Sequence, residues 1–259
     1  MPTASTSPTG STWPTGYDAV VHTAGSRAAS LLISVATALA IVAGTLPLFL
    51  NPAWVAFEQG RAQAAGWTGY AETDLRTATD AILADLVVGP PDFDVVIDGA
   101  PVLNERERSH MRDVRTVFIG FFAAAALAVI AALVIIARRR GQARMESWTA
   151  IRGGALGLIV VLVALGGAAL IAFDVLFELF HRVFFAGGSY QFDPASERLV
   201  QLFPFTFWQE TAIAVGIVCV GVAAVVAAIA TARLAAMTAT AATPGARGDG
   251  QAVGSEPVR

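Results

Sequence analysis

Four long apolar stretches decide what this chain can become. They run approximately over residues 28–50, 114–137, 153–173 and 211–233. Each has about the 20 residues that a helix needs to cross a hydrocarbon core of roughly 30 Å. In lipid every backbone polar group must find a partner within the protein, so a segment of this kind folds as a helix. The predicted class is an all-α membrane protein with four transmembrane helices. Composition agrees, since 14% of residues are charged against about 25% in soluble domains. The first stretch is too long, and lies too far behind a polar lead, to be a signal peptide.

The rest of the chain divides around these spans. Residues 1–27 and 234–259 lack apolar periodicity and read as disordered cytoplasmic tails flanking a membrane domain over 28–233. Arg138, Arg139, Arg140, Arg144 and Arg152 crowd the connection between the second and third spans. Basic residues mark the cytoplasmic side, so both termini are expected inside and the loops 51–113 and 174–210 outside. A second basic group, Arg106, Arg108, Arg112 and Arg115, stands at the far end of the second span, interleaved with Glu105, Glu107 and Asp113. A net charge of −3 gives no support to a nucleic-acid partner. Cys219, the one cysteine, has no internal disulfide partner and reads as a small membrane-helix residue. No ionisable residue lies in the central part of any span, which argues against a transporter.

The loops carry local signals. In the first, "TDLRTATDAILADLVVG" places Leu75, Ala78, Ile82, Leu83 and Leu86 at helical spacing and predicts an amphipathic helix. "FDVVIDGAPVL" is a β-branched run with Asp98-Gly99 at a hairpin turn. Asn104, three residues before Glu107, predicts a capped helix start ahead of the second span. In the second loop a glycine break follows Ala186, and Asp193-Pro194 suits a further helix start. Trp54, Phe57, Phe205, Phe207 and Trp208 hold interfacial positions beside the first and fourth spans.

Two polar clusters stand at one height. Glu107, His110 and Asp113 precede the second span, and Asp174, Glu178 and His181 follow the third, each set on one helix face. His110 is 28 residues before Arg138, and His181 is 29 after Arg152. At about 1.5 Å per residue both lie roughly 40 Å above the same basic turn, in the outer headgroup zone. A lone interfacial histidine is usually an amphipathic anchor. Two at matched height are read here as a joint site. Acyl transfer is one chemistry that suits it, with a histidine as base or nucleophile and Arg, Tyr or backbone donors on the oxyanion. A metal held by Glu107, His110, Glu178 and His181 is the other, although paired Glu-x-x-His centres lie inside bundles and not at their rim. A non-catalytic scaffold is the third reading. Ser109 lacks the strained turn of a serine nucleophile.

The strings "NERERSHMRDVR" and "FDVLFELFHRVFFAGGSYQFDPASERLVQLFPFTFW" resemble a family of bacterial four-span proteins, the lipoprotein intramolecular transacylases. The resemblance implies an enzyme of the cytoplasmic membrane whose site faces outwards. It would move an acyl chain from the glyceryl group of a diacylated lipoprotein to the α-amine of its N-terminal cysteine, giving the lyso form. It implies catalytic roles for His110 and His181, with Glu107, Asp113, Arg115, Asp174, Glu178, Arg182 and Tyr190 in support. The partners are then a diacylated lipoprotein and membrane lipid, with no cofactor required.

Overall fold

The computed structural model describes residues 16–185 and 188–242. Its first helix, α1 (Gly16–Thr45), ends in a short 3-10 turn (Leu46–Leu48). Helices α2 (Pro52–Arg61), α3 (Ala64–Thr68) and α4 (Glu72–Val87) follow. A two-stranded hairpin, β1 (Val96–Ile97) and β2 (Ala100–Pro101), leads into α5 (Glu105–Arg138). Then come α6 (Gln142–Phe184), α7 (Arg198–Leu202) and α8 (Phe205–Ala242). Four helices, α1, α5, α6 and α8, are long and apolar enough to cross a membrane.

Most of the two tails, residues 1–15 and 243–259, lies outside the described residues, as do Ala186 and Gly187 of the glycine break. Where the ends are described they extend the helices. Helix α1 starts at Gly16 and not near Ala28, because residues 16–27 contain no proline and an established helix propagates readily. Helix α8 continues past Arg233 to Ala242 along an alanine-rich run of strong helix formers.

Inside the membrane the helices pack through small residues. Helix α1 lies against α5, α6 and α8, and Ala36, Ala155, Ala223 and Ala230 are almost fully buried at these contacts. At Gly154 a Cβ would stand 2.3 Å from the Ser34 carbonyl oxygen, so the two backbones approach as only glycine allows. Ser34 Oγ donates to the Ala150 carbonyl at 2.8 Å one turn away.

The bulky core sits outside the spans. Leu75, Ala78, Ile82, Leu83 and Leu86 of α4 are all buried there, as their spacing predicted. They pack with Phe93 and Leu103 and with Leu199, Leu202 and Phe203 of the second loop, so the two loops share one subdomain. The hairpin turns on Asp98 (φ 51°) and Gly99 (φ 77°), the positive pair of a tight two-residue turn. Gln59 fastens the layers, donating to Thr79 Oγ1 at 3.0 Å and to the Leu202 carbonyl at 2.9 Å. One expectation needs correcting. Asp193-Pro194 opens a single turn and no helix; the Asp193 carboxylate caps Ala195, and α7 begins only at Arg198.

Glu58 of α2 is buried beside Glu210, with the Arg61 guanidinium donating to Glu210 at 2.6 Å. Burial, and then the neighbouring Glu210 carboxyl, push the Glu58 carboxyl up from 4.5 to about 7. A raised carboxyl favours the fold while protonated. Its contribution is full below pH 4.5 and lost as pH rises through 7. Glu58→Gln is therefore expected to flatten the fall in melting temperature between those pH values. At pH 8 the variant should melt about 2–4 °C above the parent protein. Parallel pH dependences in differential scanning fluorimetry would refute it.

Candidate active site

The site is built at the ends of α5 and α6 opposite the arginine-rich turn that joins them. Asn104 starts α5 with the predicted capping box. Its side chain accepts from the Glu107 amide at 3.0 Å, and Glu107 accepts from the Asn104 amide at 2.7 Å. This fixes the first turns of the helix and with them His110. Helix α6 breaks at Ala172 (φ −144°, ψ 49°), so Asp174–Phe184 forms a separately directed piece. Forty-three residues of straight helix would reach roughly 65 Å. The break instead redirects the last segment, which carries His181 against His110 near the start of α5.

That turn brings the two histidines together. Their ring centroids are 6.0 Å apart and nearly parallel, at 22°. Both are buried, 5% and 9% exposed. Aromatic rings surround them. Phe185 and Phe192 stand edge-on to His110 at 4.8 and 5.4 Å, and Phe177 and Tyr190 lie 4.2 and 4.8 Å from His181. The His181 Nδ1 is 2.7 Å from the Phe177 carbonyl oxygen one turn back. A carbonyl only accepts, so this nitrogen carries the proton and Nε2 is left with its lone pair. Nδ1 of His110 is buried without a hydrogen-bond partner among the described residues.

The predicted acids are near the histidines but directed elsewhere. Glu107 is 1% exposed, and its second oxygen accepts from the Leu199 amide at 2.6 Å, tying α5 to α7. Glu178 accepts from Arg182 Nε at 2.8 Å and from the Tyr190 hydroxyl at 3.0 Å. Asp113, Asp174 and Ser109 are exposed. Arg115 donates to the carbonyls of Asp85 and Gly89 at the end of α4. Neither ring has a carboxylate among its hydrogen-bond partners in the described residues. The four residues of the metal alternative do not converge, and among the described residues no three His, Cys, Asp or Glu side chains are grouped to hold an ion.

Sequence reasoning missed the strap that covers the rings. Residues 188–197 cross over the histidines, and Arg106 pins them. Its guanidinium donates to Glu197 at 2.6 Å and to the Gln191 carbonyl at 3.0 Å, and lies 5.1 Å from the centre of the Phe192 ring. Burial works against charge on Glu197, yet Arg106 and the Asp193 amide together hold its carboxyl below the usual range. The only local signal was the aromatic spacing of "YQF"; the partner of Glu197 is 91 residues away. Glu197→Gln is expected to raise amide hydrogen exchange over 188–197 by about tenfold or more, the loss of one charge-assisted bond of about 1.5–3 kcal/mol. Unchanged exchange would show that the ion pair does not hold the strap.

Four membrane-crossing helices that set two facing histidines beneath an aromatic strap define a membrane-integral protein with a buried polar site at one membrane face. The model of the family described as lipoprotein intramolecular transacylase Lit matches residues 31–208, more than half of the chain. The protein belongs to that family. A search of curated proteins gives no match. Among solved structures, the membrane integral lipoprotein intramolecular transacylase Lit from Bacillus cereus is similar at a TM-score of 0.66 and 18% identity, over 84% of this chain and 99% of that one. A histidine-to-arginine variant of the same enzyme is similar at a TM-score of 0.64 and 17% identity, over 87% and 98%. A histidine-to-alanine variant gives 0.61 and 17%, over 86% and 99%. At these identities the likeness is one of fold.

Proposed function

We propose that the protein is an acyltransferase that moves an acyl chain from the glyceryl group of a diacylated lipoprotein to the α-amine of its N-terminal cysteine. The observation that carries this reading is the pair of facing histidines, one of them with its tautomer set by a backbone carbonyl. Family membership supports the reaction class.

An α-amine is mostly protonated near neutral pH, so a base must first free its lone pair. His181 Nε2 is the group prepared for this. The amine nitrogen then attacks the ester carbonyl, the new C–N bond forms, and the C–O bond to glycerol breaks. The nitrogen gives up two protons between ammonium and amide: one ends on the glyceryl oxygen, delivered by His181 or His110, and the other passes to solvent, so the mass of the neutral molecule is unchanged. Donor and acceptor belong to one molecule, and holding them in line supplies much of the rate. In this proposal Arg182, an exposed residue paired with Glu178, has the role of steadying the oxyanion. Arg115 is occupied by the carbonyls of α4. The buried aromatic walls exclude water, which would otherwise hydrolyse the ester. On this reading the site faces outwards and both termini are cytoplasmic.

Tandem mass spectrometry of a diacylated lipopeptide incubated with the purified protein tests the proposal. The expected product has an unchanged intact mass and an acyl chain on nitrogen. Hydrolysed fatty acid, or untouched lipopeptide with well-folded protein, would overturn it.

A further inference from the structure

A second feature lies at the other end of the molecule. Between α1, α5 and α8 runs an open cavity of about 500 Å³ with an almost wholly apolar lining. Its wall on α1 and the following 3-10 turn extends from Ile33 to Leu48. That is roughly 22 Å of helix, more than the ~15 Å depth of one hydrocarbon leaflet. Small side chains make the space: Ala40 and Gly44 line it, and a Cβ added at Gly44 meets nothing within 4 Å. The other walls, including Leu133, Ile136 and Val226, belong to the half of the membrane nearest the α5–α6 turn.

The groove therefore runs towards arginines. Ile136, in its wall, is one helical turn from Arg139 and Arg140, and Ile151, also in its wall, is followed by Arg152. Arg138, Arg140, Arg144 and Arg152 are exposed, and none forms an ion pair among the described residues. Glu146, the only acid between positions 138 and 152, accepts from Ser26. At the opposite face the pattern reverses: Arg61, Arg106, Arg108, Arg112 and Arg182 each hold a carboxylate. Most arginines at that end, though not Arg76, Arg115 or Arg198, hold a carboxylate, whereas Arg138, Arg140, Arg144 and Arg152 are exposed with no ion pair among the described residues.

We infer that this groove and the arginines form a binding site for an anionic phospholipid of the adjoining leaflet. One acyl chain lies in the groove against Ala40 and Gly44. The phosphate and its negative headgroup sit among Arg140, Arg144 and Arg152. Basic residues at a membrane surface attract anionic lipid, and the groove adds apolar contact that a flat helix surface lacks. The site lies away from the histidines and does not depend on the acyl-transfer reading.

Native mass spectrometry of the full-length protein, with phosphatidylglycerol and phosphatidylcholine of identical chains, tests this. One phosphatidylglycerol per chain is expected to survive activation that strips phosphatidylcholine, with a preference of about tenfold or more. The triple change Arg140→Gln, Arg144→Gln, Arg152→Gln is expected to abolish the preference. Gly44→Leu fills the groove from α1 and Leu133→Trp from α5, and each should cut retention of phosphatidylglycerol at least about fivefold. Each variant is compared after its helical content is matched to the parent by circular dichroism. Equal retention of the two lipids would overturn the inference. So would a preference that survives the triple change, or full retention in both groove-filled proteins.

Discussion

Alanine at His110 or at His181 is expected to lower the rate of acyl transfer by about a hundred- to ten-thousandfold, the range over which a positioned general acid or base contributes. The two rings face each other within one buried pocket, and each change removes half of it. His181→Ala takes away the only ring whose free nitrogen is fixed by a partner, the Phe177 carbonyl. His110→Ala leaves a void among Phe185, Phe192 and His181, and also removes a buried nitrogen that lacks a partner. The cavity cost and the relief of the unpaired nitrogen oppose each other, so the His110 variant is expected to remain folded while losing the chemistry. Turnover of a diacylated lipopeptide by mass spectrometry, beside a melting curve for each variant, separates the two effects. A folded variant that keeps more than a tenth of the activity would remove that histidine from the mechanism.

Gly154 carries the second large expectation. A methyl group there would overlap the Ser34 backbone, with the carbonyl oxygen at 2.3 Å and Cα at 2.8 Å. Backbone atoms of a neighbouring helix cannot swing aside as a side chain can, so α1 and α6 would have to part. Gly154→Ala is expected to cost about 1–3 kcal/mol, the range for overpacking a close-packed interior. Gly154→Leu is expected to yield no folded protein. The adjacent Gly153→Ala is the internal control: its Cβ would meet only Ser34 Oγ at 4.0 Å, and its melting temperature should stay near that of the parent. Gly154→Ala melting alongside Gly153→Ala would show that the α1–α6 contact relaxes without cost.

Much of the site could be read without coordinates because its determinants are local. The capping box at Asn104 is a contact between positions three apart, and hairpin geometry at Asp98-Gly99 needs only two residues with positive φ. The residue count that pairs the histidines is incorrect: Arg152 lies well inside α6 and not in the turn, so His181 is 39 residues from the start of its helix while His110 is 28 from the end of α5. The two rings meet because α6 breaks at Ala172, before His181, and no local pattern announced that break. The strap was not legible. Arg106 and Glu197 are ordinary charged residues in their own neighbourhoods, and only the folding of the second loop over α5 gives them to each other.

By itself, the sequence determined four membrane-crossing helices, an amphipathic α4, and a histidine beside acids near one end of each of two spans, since each is written in hydrophobic length or helical periodicity. Tertiary structure decided what those residues touch. Glu107, one turn from His110, is claimed by the amide of Leu199, and Glu178, three residues from His181, by Arg182 and Tyr190. A carboxylate takes the strongest unpaired donor within reach, and burial makes leaving a backbone amide unpaired costly. Which donors come within reach is fixed by how the loops pack, and helix periodicity carries no record of that.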